Sequence, residues 1–534
     1  METRQHPHTI DAWLERVERP LALCVALLAA GAMLLFFAAV LHRLRDPFPL
    51  EQHEGTMAVA IAHIAQGLPL YAQPNFSFIA YMYSPAYFWV AGWATHILGT
   101  AGSTLLALRL VSVLSTLGCF AAIAALVFTE TCSGWAALAG AGLYAASYPV
   151  TRYWFDLGRV DSLYVFLVLL ALLATRRLHP ALAALMWVLA VLAKQTIAPV
   201  ALLVLLADWK RPRRALTGAG IFLFGTLAST AWLYHVTHGW YTYFIFTVPG
   251  ANLDLRLHPA IFFPSVDILA PSGIALIVIS AALLFTVQRW KYGFVPFYWV
   301  SGSALFMLCW FLNAHAQATK NTSMPLYALL AVAFGIALDR LLRWLRGLHT
   351  PVAQAGTIVL LLAACAQLGS QYYSPKLAAP LPPVRASQQQ LLDWLRLFPG
   401  DVYIPSHPYE ALLAGKSMHA DEAAIHDALR PGRADVNAPL LDQIHRAVDG
   451  ESFDAIVLDR PPDQELAAAP WMPADWRQHY PVAGLVPGSN VVNPFSPRPR
   501  YVLLPCRVLG SAAARQVVRL GSDSSAACAT TGPR

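Results

Sequence analysis

Apolar residues in this chain come in long unbroken runs, not in the short alternations of a soluble fold. The runs predict helices over 20–41, 104–128, 134–151, 161–175, 180–193, 196–208, 216–236, 266–287, 294–312, 322–340 and 352–371. Most approach the ~20 residues needed to cross hydrocarbon. The fifth and sixth are short and part at Lys194-Gln195-Thr196. Residues 42–103, between the first two runs, are too polar to span a bilayer and too aromatic for an ordinary solvated loop. Within them Glu54 opens a helix whose apolar positions Met57, Ile61, Ile64 and Leu68 recur at three- and four-residue spacing. Gly67 and Pro69 stop it, and the aromatic stretch from Phe76 to Trp89 suits a membrane–water interface. The expectation is an acid on an amphipathic helix lying along a membrane surface.

The pattern changes at Ser374. Pro375, Pro380, Pro382 and Pro383 form a linker, and the polarity beyond it is ordinary. Helices are predicted over 387–398, 409–414, 422–429 and 440–449, with strands over 401–405, 453–459 and 501–505. This divides the chain into a transmembrane body (1–373, first outer loop 42–103), an α/β domain (374–509) and a disordered tail (510–534).

Composition agrees with the pattern. Hydrophobic residues make up 57% of 534 and charged residues 13%, whereas a soluble chain carries about 25% charge. The fold class is therefore a polytopic α-helical membrane protein of about eleven spans, with an extracytoplasmic C-terminal α/β domain. Lys and Arg gather before the first span (Arg16, Arg19), after the fourth (Arg176, Arg177), after the sixth (Lys210 to Arg214), after the eighth (Arg289, Lys291) and after the tenth (Arg340, Arg343, Arg346). With a cytoplasmic amino terminus all of these share one side, and everything after Gln371 lies outside. That is the topology of a bacterial inner-membrane protein; His42, Arg43 and Arg45 run against it. The net charge of +7 follows from this distribution. With no soluble basic domain carrying interleaved aromatics, nucleic acid is not a partner. The first run is too long for a removed signal peptide and has no small-residue cleavage site, so it reads as a retained anchor. Five cysteines lie in or beside spans; Cys506 and Cys528 lie in the outward tail, where an oxidising compartment permits pairing. No spacing resembles a zinc site.

The outward loops carry the candidate chemistry. Arg109 stands at the start of the second span, as a snorkelling cation or a ligand contact. Arg152, Asp156, Arg159 and Asp161 share the second outer loop; Asp161 suits a helix start, while Asp156 sits among Trp154, Phe155 and Leu157 without that reason. Lys194 in the helix break calls for an anion or a watery cavity. Asp254, Arg256 and His258 lie in one later loop, and His315, Lys320 and Asn321 in another. An acid and several cations on one face suit group transfer from a lipid-linked phosphate. The carboxylate takes a proton from an acceptor hydroxyl, and the cations stabilise the departing phosphate. Chemistry outside the cytoplasm has no nucleotide sugars, in keeping with the missing glycine-rich phosphate loop.

At these residues the chain resembles the GT-C superfamily of polyprenyl-phosphate-sugar-dependent membrane glycosyltransferases, which includes protein O-mannosyltransferases and the aminoarabinose transferase of lipid A. The resemblance rests on Glu54, Gly55, Gly67 and Tyr71, on Tyr81 to Pro85, and on Leu108 to Leu110. Arg159-Val160-Asp161, Ala193 to Thr196 and Lys320 to Pro325 extend it over about 370 residues. Where the family has an acidic pair in the first loop, this chain has His53-Glu54. The resemblance implies inverting transfer from a polyprenyl-phosphate-linked sugar to an extracytoplasmic glycolipid, polysaccharide or protein. It makes Glu54 the base and Asp156 a second catalytic carboxylate. It also makes His53, Tyr83, Arg109, Arg159, Lys194, Arg256, Lys320 and Asn321 substrate-binding, with Lys194 and Lys320 on the donor phosphate. It implies no metal ligand and no certain cofactor, and leaves a divalent cation open. Two other classes compete: a lipid or sugar-lipid transporter or flippase, and a non-catalytic cell-envelope scaffold. The first calls for repeat-related helices with paired charges, and no repeat is visible. The second calls for function that survives Glu54→Gln.

Overall fold

With no water to satisfy them in hydrocarbon, the backbone groups of an apolar run must bond within the run, so each run becomes a helix. The computed structural model describes residues 8–99, 104–208, 210–286, 288, 294–315, 318–466, 469–493, 497–520 and 528. A helix lies at each predicted span: α1 (His8–Arg43), α4 (Thr104–Thr131), α5 (Gly134–Ala146), α6 (Asp161–Arg177), α7 (Pro180–Ala193), α8 (Ala198–Leu206) and α9 (Pro212–Val236), then Ala270–Thr286, Phe294–Asn313, Met324–Arg346 and Pro351–Gly369. The first loop adds α2 (Gln52–Ala65) and α3 (Ala86–Leu98). Among the described residues seven helices are long and apolar enough to cross a membrane. The expected break is real: α7 ends at Ala193, Lys194 is extended, and a 3-10 turn (Gln195–Ile197) leads into α8. α5 stops five residues before its expected end, at Ala146. Pro149 disfavours helical backbone at the residue before it, and the chain turns away there.

Met324–Arg346 is the most enclosed of the long helices and packs on α4, α5 and Ala270–Thr286. Its crossing with α5 depends on two glycines. A Cβ on Gly140 would stand 2.9 Å from the carbonyl oxygen of Ala331, and one on Gly335 would stand 2.8 Å from that of Ala136. Small residues let membrane helices approach backbone to backbone.

The C-terminal region forms a five-stranded sheet in the order β1-β2-β4-β3-β5: Asp401–Tyr403, Phe453–Leu458, Tyr501–Leu504, Val482–Leu485 and Val518–Arg519. β1 and β2 are parallel, and the other neighbours are antiparallel. Alternation divides its side chains between two faces. Val402, Ala455, Val457, Val502 and Leu504 pack with Leu391, Trp394 and Leu395 of the helix Pro382–Arg396. Tyr403, Ile456, Leu458 and Leu503 share a core with the first loop, through Met57, Ile61, Phe76 and Tyr87. β3 and β5 were not expected. Residues 510–520, expected as part of a disordered tail, contain the helical turn Ala512–Arg515 and β5; 521–527 and 529–534 lie outside the described residues. Cys506 and Cys528 form a disulfide, with Cα atoms 5.6 Å apart.

This contact corrects the expectation for α2. It does not lie open on a membrane surface: Glu54 to Ile61 are all buried, against α3, α4 and the short helix Pro408–Leu413. The apolar stripe is there, but the opposite face, rich in Gly and Ala, is roofed by the C-terminal region.

Candidate active site

Two acids at the start of α2 meet opposite fates. Glu51 is the residue before the helix, with extended backbone (φ −143°, ψ 147°), so its side chain leaves the helix axis. Glu54, one turn on, points inward to α4. Its Oε1 accepts from Arg109 Nε at 2.9 Å and from the Gly158 backbone N–H at 2.7 Å. Its Oε2 accepts from Arg109 Nη2 at 2.8 Å and from the Leu50 N–H at 2.7 Å. Burial would raise this carboxyl, but Arg109 and the two N–H donors outweigh it and hold it below the ordinary value. Arg109 is equally committed, donating also to the carbonyls of Arg43, Asp46 and Phe48 at 3.1, 2.6 and 2.7 Å. Gly158 is required here, because a Cβ would come within 2.8 Å of the Leu108 side chain. Glu54 and Arg109, expected as base and substrate contact, are both 0% exposed. Their ion pair ties the first loop to α4.

Asp156 is also enclosed, accepting from Arg43 Nε at 2.7 Å and Tyr148 OH at 2.6 Å. Both expected catalytic carboxylates are thus buried and paired within the fold. Lys194 and Asn321 converge on Asp161, at 2.8 and 3.0 Å from its two oxygens, so this buried group ties the helix break to the loop before Met324. Lys194 is spoken for within the fold. Arg256 is exposed, 3.6 Å from Asp254, and does not line the cavity described next.

That cavity, about 900 Å³, opens where the loop before α2, the turn after α5 and the segments around 258–267 and 313–320 meet. Glu51 lines it together with Arg43, Arg152, His258, Asp267 and Lys320. Glu51 Oε1 is 2.8 Å from His53 Nδ1, and its Oε2 accepts from Arg159 Nη1 at 3.0 Å. Arg159 Nη2 reaches Tyr83 OH at 3.2 Å, and its guanidinium lies over the Trp154 ring at 5.0 Å. So His53, Tyr83 and Arg159, expected near the substrate, gather around Glu51 and not around Glu54. Burial pushes the Glu51 carboxyl up, but Arg159 and the bonds from His53 prevail and hold it at about 2. Lys320 pairs with Asp267 at the cavity wall.

Sequence reasoning passed over Glu51 and Asp267, and gave Arg152 no role of its own. The available signal for Glu51 was its place just before a helix, where an acid is favoured by the helix dipole. Both cavity carboxylates already face cations, Glu51 with Arg159 and Asp267 with Lys320. This donor set does not fit a divalent ion. Among the described residues the group that could gather around one, Asp449, Asp475 and His479, is on the C-terminal region and outside this cavity.

Residues 81–267 match the family model described as Glycosyltransferase family 87. No curated protein sequence matches the chain. Among solved structures it is similar to ArnT from Cupriavidus metallidurans bound to undecaprenyl phosphate, with a TM-score of 0.58 at 15% identity over 90% of this chain and 97% of that one. The apo state of the same protein gives 0.54 at 16% identity, with the same coverage. The Archaeoglobus fulgidus oligosaccharyltransferase in complex with Zn and sulfate gives 0.51 at 14% identity, over 93% of this chain and 75% of that one. The fold is similar to that of ArnT and of the archaeal oligosaccharyltransferase. Within it, the stretch from Tyr81 to Asp267 is similar to family 87.

Proposed function

We propose that this chain transfers a sugar from a polyprenyl-phosphate donor to an acceptor hydroxyl outside the cytoplasm, at the cavity that holds Glu51. The observation that carries this reading is a polar cavity with both a carboxylate and a cation, set beside an apolar groove. The groove, about 680 Å³, is lined by Ile268, Leu276, Trp299, Phe306 and Leu330 of four neighbouring helical segments. The segment Phe263–Leu269 serves both spaces: Val266 and Asp267 line the cavity, Ile268 and Leu269 the groove. A lipid tail suits the groove, which leaves the phosphate beside Lys320. The similar ArnT structure holds undecaprenyl phosphate, which supports the same class of donor here.

The chemistry is an inverting displacement. The acceptor oxygen bonds to the anomeric carbon as the bond from that carbon to the phosphate oxygen breaks. The electron pair leaves with the phosphate, which gains a second negative charge, and the acceptor proton passes to Glu51. At about 2 the resting carboxyl is a weak base. A donor phosphate in the same cavity raises it, since a nearby like charge disfavours the charged form. His53 and Arg159 orient it, and Lys320 offsets the charge that grows on the leaving group. The acceptor is a glycolipid, polysaccharide or protein.

The clustering of Lys and Arg supports a bacterial plasma membrane with the amino terminus inside and the cavity outside. A reporter active only outside the cytoplasm is expected to work when fused after Ser374 and to fail after Arg214. The reverse pattern would put the cavity on the wrong side for this reaction. The test of the function is the lipid that copurifies with the protein, read by mass spectrometry, followed by transfer from a purified polyprenyl-phosphate sugar. A polyprenyl phosphate or its glycoside, with turnover, is the expected result. Glycerophospholipids alone, with no turnover across several polyprenyl-phosphate sugars, would overturn it.

A further inference from the structure

Two consecutive residues at the cavity, Arg152 and Tyr153, have left-handed backbone, with φ of 54° and 63°. Neither is Gly or Asn, and a side chain's Cβ disfavours such backbone. Strain of this kind persists only where the surroundings over-determine it, and here they do. The Arg152 N–H donates to the Pro149 carbonyl at 3.0 Å and the Tyr153 N–H to that of Tyr148 at 3.0 Å. Arg43 Nη2 donates to the Tyr153 carbonyl at 3.0 Å. The Tyr153 ring is wedged edge-on against Tyr148, with centroids 5.2 Å apart.

What this clamp presents is one exposed side chain. Arg152 lines the cavity, and among the described residues its guanidinium has no hydrogen bond or ion pair. Its fellow cations there are committed. Arg43 is held by Asp156, Tyr153 and the carbonyl of Ala378, and Lys320 by Asp267. A cation that a strained turn aims at an anion site, and that the fold itself does not use, has its donors available for a ligand.

Resting on the function proposed above, we infer that Arg152 grips the phosphate of the lipid-linked donor. Its planar fork matches two phosphate oxygens at once. The donor phosphodiester carries one negative charge, and the released phosphomonoester carries two. Arg152 therefore holds the leaving group more strongly as the sugar–oxygen bond breaks, which lowers the barrier as well as binding the donor.

The test compares Arg152→Asn, Arg152→Gly and Arg152→Lys in the full-length protein. Asn and Gly both accept left-handed backbone, so both remove the charge without adding strain. A charge-assisted bond is worth about 1.5–3 kcal/mol, so kcat/KM for the donor should fall about 10- to 150-fold in both. Affinity for a polyprenyl phosphate added as product inhibitor should fall with it. Arg152→Lys should recover part of both losses. Thermal midpoints of the Asn and Gly variants should stay at or above that of the unmutated protein, a result that a merely structural arginine would not produce. If the unmutated protein turns over and both uncharged variants match it in kcat/KM and in product affinity, this inference is overturned while the glycosyltransferase reading stands. If the unmutated protein neither turns over nor binds polyprenyl phosphate, the reading beneath it fails as well.

Discussion

Glu51→Gln is expected to slow sugar transfer by about 10²–10⁴-fold, the usual loss when a general base is removed. The amide keeps the size of the carboxylate, and one oxygen can still accept from Arg159, so the cavity keeps its shape. Donor affinity should hold or rise, because the substitution removes a carboxylate that repels the donor phosphate. The measurement is single-turnover transfer from a purified polyprenyl-phosphate sugar, with donor affinity and thermal midpoint recorded for the same preparation. A full rate with Gln at 51 would take the base role away from this residue. Loss of rate accompanied by equal loss of stability would instead make it a structural partner of Arg159.

The second large effect concerns Glu54 and is of another kind. Each of its two oxygens accepts two donors, one from Arg109 and one from a backbone N–H. In Glu54→Gln one oxygen becomes an NH₂ group, and whichever way the amide sits, that group faces two N–H donors. Arg109 is left as a buried charge with half its partner gone. Breaking a buried pair by removing one side costs about 3–5 kcal/mol. The expected outcome is a large fall in thermal midpoint and in folded yield, with activity lost in proportion to folded protein. Arg109→Met should do the same, and the double variant should be less harmed than the sum of the two, since residues in contact are not additive. Activity lost from a fully folded, fully stable Glu54→Gln protein would return the catalytic role to Glu54. An activity assay on total protein does not tell the two acids apart, because both substitutions lower turnover; stability separates them.

Those two acids also mark the boundary between what the order of amino acids determined and what only three-dimensional packing decided. Membrane class, a helix at each apolar run, the break at Lys194 and the change to an α/β region after Ser374 were legible in the sequence. They depend on transfer of apolar runs out of water and on local backbone preference, which neighbouring residues settle. The cysteines fit the same rule: five sit in or beside apolar runs, which left Cys506 and Cys528 as the pair able to join. The strands β3 and β5 were not legible, because Val482–Leu485 and Val518–Arg519 are short and become strands through their partners. Nor was the choice between Glu51 and Glu54 legible. They lie on one turn, and a helical pattern sees both as polar positions near a helix start. Their surroundings are set by groups far along the chain: Arg109 lies 55 residues from Glu54, Gly158 lies 104 away, and Arg159 lies 108 from Glu51. Whether a carboxylate is a buried lock or an open base depends on which donors surround it and whether solvent reaches it. Both are properties of packing, and hydrophobic periodicity carries no record of them.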